Sequence, residues 1–284
     1  MISGFQRPPI LSSVKVTGHP AWMARLFSWY LLWGSLGNIT KPLAQRLIEA
    51  KQQVTVISSK AARAAEIEAL GATAAIGDLN DTDFLTKTFT GADAVYTMVP
   101  PGESENRKQQ MRKEGDSLVA AVKAAGIKKV VNLSSIEQAF NALDGVDVKH
   151  LRPGFFYVNL FNNIGMIKHG GIYGDNYGAN AEVVMVHPAD IAAAAAEELL
   201  SLSFTGKSFR YVIDDIRAAK DVATAFKGMM QAGMGEDLAL NFVEMGQAVR
   251  SGEMFADFNQ HTVQQGKIKL EDFAKEFAAA YAKG

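Results

Sequence analysis

The sequence predicts an α/β protein: a Rossmann-like doubly wound parallel sheet with a small helical C-terminal lobe. Three observations carry that expectation. Residues 30–33 form a short apolar run that meets Gly34-x-x-Gly37-x-x-Thr40, followed by an amphipathic segment with Leu43, Leu47 and Ile48 on one face. That order is strand, glycine turn, helix. Next, residues 52–60 read as a second strand, 61–70 as a helix, and 71–81 hold a third strand ending near Asp78, completing a β-α-β-α-β unit. Finally, the chain from residue 216 onward reads as helical, with segments at 222–231, 238–250 and 271–282. Phe273, Phe277 and Tyr281 recur there every fourth residue, which sets them on one face. The division expected is an N-terminal extension of unclear structure at 1–29, a nucleotide-binding domain at 30–215 and a helical substrate-side lobe at 216–284.

The glycine turn is the first candidate site. Glycines let the backbone approach a pyrophosphate, and free N–H groups at a helix start, with the helix dipole, favour an anion. Gly34, Ser35, Gly37, Asn38 and Ile39 are the residues placed to do this, with Pro42 suited to the first helical turn. Thr40 stands where such turns usually carry a third small residue, and its branched side chain is expected to crowd the helix against the strand.

The end of strand two bears on cofactor choice. A carboxylate there would hold a ribose 2′-hydroxyl, whereas hydroxyl and basic groups suit a 2′-phosphate. Ser58, Ser59, Lys60 and Arg63 occupy it, with no acidic residue among them. NADP(H) is therefore expected over NAD(H), unless Lys60 and Arg63 are simply solvated charges at a helix start. Asp78 lies in a loop-forming Gly-Asp-Leu-Asn-Asp run, where Asn80 or Asp81 could equally cap the next helix.

Further along, residues 94–99 read as strand four, stopped by Pro100 and Pro101. A helix over 113–125, with Leu118, Val119 and Val122 inward, closes at Gly126. Strand five, 129–133, brings Ser134 and Ser135 to the carboxyl edge of the sheet, where such sheets take ligands. None of the seven tyrosines has a lysine four positions on. Residues 136–145 leave barely the length of a parallel crossover before strand six at 146–151. Asp190 and His187 flank the start of an alanine-rich helix at 191–200, where a structural role is the expectation for both, and 207–212 reads as a final strand.

The glycine turn, Gly77-Asp78-Leu79, Val130-Val-Asn-Leu-Ser-Ser135 and Leu151-Arg-Pro-Gly-Phe-Phe156, in that order, resemble the NmrA-like atypical short-chain dehydrogenase/reductases. That group includes NAD(P)H-binding quinone reductases and redox-sensing regulators. The resemblance implies that Asp78 and Leu79 lie on the adenine side of the cofactor. It sets Met98, Val99 and Pro100 beside the ribose and nicotinamide, and Ser134 and Ser135 at the catalytic position. Phe156, Asn159 and Tyr173 would face the substrate, although Phe156 also suits ordinary core packing. Two departures stand out: the Tyr-x-x-x-Lys proton-donor pair is missing, and the crossover after Ile136 is shorter than the family's, which should open one wall of the nicotinamide pocket.

Two functions fit these residues. One is NAD(P)H-dependent hydride transfer to a quinone-like or other small acceptor. The other is a non-catalytic NADP(H)-sensing regulator. Composition narrows the rest. The chain has 284 residues, 48% of them hydrophobic and 21% charged, ordinary for a globular protein. A net charge of −1 gives no electrostatic reason for direct nucleic-acid binding. Without cysteine there is no disulfide or thiolate chemistry, and the five histidines are scattered, so no metal is expected. The apolar stretch at 26–33 falls well short of the ~20 residues needed to cross a bilayer. A cytoplasmic protein that does not engage membranes is the expectation, with a homodimer left open.

Overall fold

The computed structural model describes residues 28–33, 36–99, 107–133, 136–171, 181–219, 248–249 and 251–283. The sequence calls on 1–27, on the glycine and tyrosine loop around Tyr173, and on the helices at 222–231 and most of 238–250 lie outside them. So do Gly34, Ser35, Pro100, Ser134 and Ser135.

Alternating strands and helices form the first half. Strand β1 (Trp29–Trp33) leads through the glycine turn into helix α1 (Thr40–Glu49), followed by β2 (Gln53–Ser58), a 3-10 turn at Ala61–Arg63 and α2 (Ala64–Ala69). Then come β3 (Thr73–Ile76), α3 (Thr82–Phe89), β4 (Ala94–Met98), α4 (Arg107–Ala124) and β5 (Lys129–Leu133). Asp81 caps α3, its carboxylate accepting from the N–H groups of Asp83 and Phe84. Helix α4 begins six residues earlier than expected.

The second half runs α5 (Glu137–Asn141), β6 (Asp147–Pro153), β7 (Phe155–Phe156), a 3-10 segment Tyr157–Asn163, α6 (Ile164–Gly170), β8 (Ala181–Val186), α7 (Pro188–Ser201), β9 (Lys207–Ile213) and β10 (Asp215–Ala219). Two 3-10 turns, Glu253–Phe255 and Phe258–Gln260, precede β11 (Thr262–Gln265) and helix α8 (Leu270–Lys283).

Eight of these strands make one parallel sheet in the order β11-β9-β6-β5-β4-β1-β2-β3. The order turns back between β1 and β4, the place where doubly wound sheets open a ligand crevice at their carboxyl ends. Burial on both faces explains the near-continuous apolar strands. From β1, Tyr30 and Leu32 join the core under α1 and α7, while Leu31 and Trp33 join the core under α3, α4 and α5. The short crossover does form: α5 has five residues, buries Phe140, and lets β6 pair in parallel with β5.

Gly154 divides the two sheets. Its N–H still bonds to the Val212 carbonyl at 3.0 Å, but the next residues leave to pair with β8. A Cβ at 154 would meet the Val184 carbonyl oxygen at 2.6 Å, so only glycine permits the approach. The second sheet has the order β10-β8-β7.

The C-terminal part differs from the all-helical expectation. Residues 215–219 are a strand beside β8, and Thr262–Gln265 extends the main sheet beyond β9. Helix α8 does dock through aromatic residues as its spacing predicts. Phe273 stacks on Tyr157 at 5.5 Å and meets Phe161 at 5.1 Å, and Phe277 lies 6.0 Å from Phe161. Tyr281, at 38% exposure, lies outside that core, with the Lys168 ammonium over its ring.

Candidate functional site

The carboxyl edge of the sheet gathers the predicted cofactor residues from three separate loops. Gly37 and Asn38 are exposed at the turn, while Ile39 and Thr40 are buried as the chain enters α1. The start of α1 has no side-chain cap and no acidic residue in its first turn. The Lys41 N–H donates to the Gly37 carbonyl at 3.1 Å and Pro42 has none to give, so what this helix start offers an anion is chiefly its dipole. Thr40 is fully buried, and its hydroxyl has no hydrogen-bond partner. Burying an unpaired hydroxyl is unfavourable, which is the cost of placing a polar branched residue there.

Strand β2 delivers the second group. Ser58 is buried, and its hydroxyl accepts from the Lys60 N–H at 3.2 Å, while its carbonyl accepts from the Gly77 N–H at 3.1 Å. Ser59 and Lys60 are exposed. The Arg63 guanidinium donates to the Leu36 carbonyl. That bond ties the β2–α2 loop to the glycine turn through Arg63. No carboxylate occupies the end of β2.

Strand β3 brings the third. Gly77 lies beneath the Phe84 ring, which a Cβ would meet at 2.6 Å. Asp78 is exposed and accepts from the Asn80 backbone N–H at 2.9 Å and its side-chain amide at 3.2 Å. Those bonds hold its carboxyl below the usual carboxylate range, so it stays anionic. Leu79 is partly buried and packs at the margin of the core under α3, α4 and α5. Across the crevice Met98 is partly buried and Val99 buried at the end of β4. The glycine turn and the hydroxyl and basic groups at the end of β2 fit a nicotinamide dinucleotide.

On the other side, Phe156 is partly buried and packs against the core under α1 and α7, the ordinary role foreseen for it. Asn159 is exposed on the 3-10 segment Tyr157–Asn163. His187 is structural: its Nδ1 accepts from the Ala189 N–H at 3.1 Å, capping α7. Asp190 accepts from the Ile268 N–H at 2.9 Å, tying α7 to the C-terminal segment.

Sequence reasoning missed a second constellation. Arg152, at the end of β6, donates to Glu137 at 2.7 and 2.9 Å and to Asp257 at 2.5 Å, and its guanidinium lies over the Phe209 ring at 4.2 Å. Tyr211 donates to Asp257 at 2.5 Å, and His261 lies 2.9 Å from the same carboxylate. These bonds hold Asp257 well below the ordinary carboxylate range, the Tyr211 hydroxyl contributing most. Glu137, Arg152, Tyr211 and Asp257 border a cavity of about 450 Å3. Their positions share no spacing that could have announced them.

The comparisons bear on the first crevice. Residues 34–154 match a family described as NAD(P)H-binding. The match begins at Gly34 and ends at Gly154, spanning the glycine turn, the Asp78 loop and the strand that ends beside the second sheet. The NmrA-like resemblance is borne out at this level of domain and fold.

An NAD(P)H azoreductase of Xenophilus azovorans is 26% identical over 69% of this chain and 71% of its own. Among solved structures, the NADPH complex of an Escherichia coli NADPH-dependent quinone oxidoreductase matches with a TM-score of 0.70 at 18% identity. That match covers 89% of this chain and 99% of that one. A Staphylococcus aureus nucleoside-diphosphate-sugar epimerase matches with a TM-score of 0.71 at 13% identity, over 86% and 98% of the two chains. These structural likenesses establish the doubly wound fold. Among the described residues no helix is long and apolar enough to cross a membrane, and no cluster of potential metal ligands is found.

Proposed function

We propose that the protein is a reductase that uses NADPH in preference to NADH to reduce a quinone-like, azo or similar small aromatic acceptor. One observation carries the reading: Lys60 and Arg63 stand at the end of β2, with Arg63 bonded back to the glycine turn and no carboxylate beside them. In this reading Gly34, Ser35, Gly37, Asn38 and Ile39 bind the pyrophosphate. Ser58, Ser59, Lys60 and Arg63 hold the 2′-phosphate, and Asp78 and Leu79 border the adenine. Met98, Val99 and Pro100 flank the nicotinamide ribose.

Bound NADPH supplies the hydride; this chain's residues position the partners and exclude water. Ser134 and Ser135 are assigned to orient the acceptor, with Phe156, Asn159 and Tyr173 shaping its site. The absence of a Tyr-x-x-x-Lys pair fits acceptors whose reduced form draws its proton from solvent. The azoreductase and quinone-oxidoreductase relatives support the acceptor class. The protein acts in the cytoplasm in this reading, and its partner is a small molecule.

The test is NADPH oxidation by purified protein against a panel of quinones and azo dyes. Acceptor-dependent turnover above the uncatalysed rate is expected. Oxidation that no acceptor accelerates would overturn the reductase reading, and NADPH binding without any turnover would favour the redox-sensing role instead.

A further inference from the structure

Helix α5 has five residues, far below the length of about 12–15 at which a helix begins to hold itself in water. What fixes it comes from β6. Glu137, its first residue, accepts from Arg152 Nε at 2.9 Å and from Nη2 at 2.7 Å, a bidentate pair. One turn on, the Asn141 carbonyl oxygen lies 3.0 Å from His150 Nε2. The two tethers agree in period, since 137 and 141 share one helix face while 150 and 152 share one strand face. The Phe209 ring backs both, stacked on His150 at 5.0 Å and lying 4.2 Å from the Arg152 guanidinium.

The tethered segment adjoins the pair of serines assigned to the acceptor. Leu133 ends β5, Ser134 and Ser135 follow it in the sequence, and Ile136 and Glu137 lead into α5. Leu133 is fixed by its place in the sheet, opposite Leu151. Ile136 is buried, its side chain against Gly115 of α4. Arg152 is held from its other side as well: Nη1 donates to Asp257 at 2.5 Å and to the Tyr211 hydroxyl at 3.3 Å. Removing Glu137 therefore leaves the guanidinium paired, and the bond between Arg152 and α5 can be broken without stranding a charge.

We propose that Arg152 and Glu137 are a positioning pair for the reductase: they anchor the start of α5 and so fix the far end of the short segment that carries Ser134 and Ser135. Neither residue moves a proton or receives the acceptor. Their contribution is geometric, because a guanidinium fork on a carboxylate sets an angle as well as a distance, which one ammonium contact or an apolar contact does not. A crossover of ten residues has little other means of holding its shape, and small misplacements of groups that orient a substrate are costly in rate. As a device for catalysis the pair rests on the reductase reading; as the anchor of α5 it stands without it.

The test compares Glu137→Ala with Glu198→Ala. Glu198 on α7 also accepts from an arginine, Arg210 Nη1 at 2.7 Å, and its loss likewise leaves that arginine bonded, to Glu197 at 2.6 Å. Hydrogen exchange without cofactor is read at the Phe140 and Leu143 amides, which bond to Ile136 and Phe140. Glu137→Ala should speed their exchange about tenfold, and Glu198→Ala should not. With NADPH and an acceptor, Glu137→Ala should lower kcat about tenfold at unchanged KM for NADPH, Glu137→Gln should recover most of that rate by keeping an acceptor oxygen, and Glu198→Ala should match the native protein. Native exchange in Glu137→Ala would overturn the anchor. Faster exchange at native kcat, or an equal rate loss in Glu198→Ala, would overturn the positioning role. Native protein that turns over no acceptor sinks the reductase reading instead, and the exchange comparison still decides whether Arg152 anchors α5.

Discussion

Individual residues decide the two regions in different ways. Lys60 is exposed and contributes charge, whereas Arg63 also holds the Leu36 carbonyl and so supports the loop. Within the core, a polar ladder crosses three neighbouring strands. The Thr97 hydroxyl donates to the Asn132 carbonyl oxygen at 2.9 Å, the Asn132 amide meets His150 Nδ1 at 3.1 Å, and His150 Nε2 meets the Asn141 carbonyl oxygen at 3.0 Å. Both His150 contacts suit a neutral ring that donates from Nε2. Burial pushes the His150 pKa from 6.5 down to about 4. The unfolded chain therefore carries the extra proton between those values, and stability falls as pH falls through that window. The full loss amounts to about 3 kcal/mol, with most of it gone by pH 4.5. Denaturant midpoints at pH 7.5 and 4.5 should differ less in a His150→Gln variant than in the native protein; an unchanged difference would remove His150 as the cause.

At the scale of elements, the strands of the parallel core were legible because burial on both faces demands apolar runs, as in Tyr30 to Trp33. Strand β11 was not. Its sequence, Thr-Val-Gln-Gln, is short, polar and largely exposed at a sheet edge, so no burial pattern marks it. The Arg152 cluster was equally hidden, since it joins Glu137, Tyr211, Asp257 and His261 through tertiary contact alone. Gly154 was quoted as part of a motif, but its reason is steric. Replacing it with alanine should cost about 2 kcal/mol or more, because the neighbour at 2.6 Å is backbone and cannot swing away. Gly126→Ala is the control: nothing lies within 4 Å there, and only its φ of +72° opposes the change, at about 1 kcal/mol. Urea denaturation that ranks Gly154→Ala no costlier than Gly126→Ala would contradict the packing argument.

For the whole molecule, the sheet order places three basic or polar loops around one crevice and the Arg152 cavity farther along the same edge. The nucleotide half was readable from the sequence because its turns use glycine and charge at set distances. The Arg152 cavity depends on the five-residue helix α5 and a C-terminal segment that returns to the sheet, which spacing does not encode. The crevice beside β1 and β2 is proposed to prefer a 2′-phosphorylated dinucleotide, and the most direct measurement is thermal unfolding with saturating NADPH or NADH, in native protein and in Lys60→Ala. At a hundred times its dissociation constant a ligand stabilises by about 2.7 kcal/mol, which for a chain of this size raises the midpoint by about 4–5 °C. NADPH should produce that rise, NADH a smaller one at equal concentration, and Lys60→Ala should narrow the gap between them. Equal shifts from both cofactors, or none from either, would contradict the account.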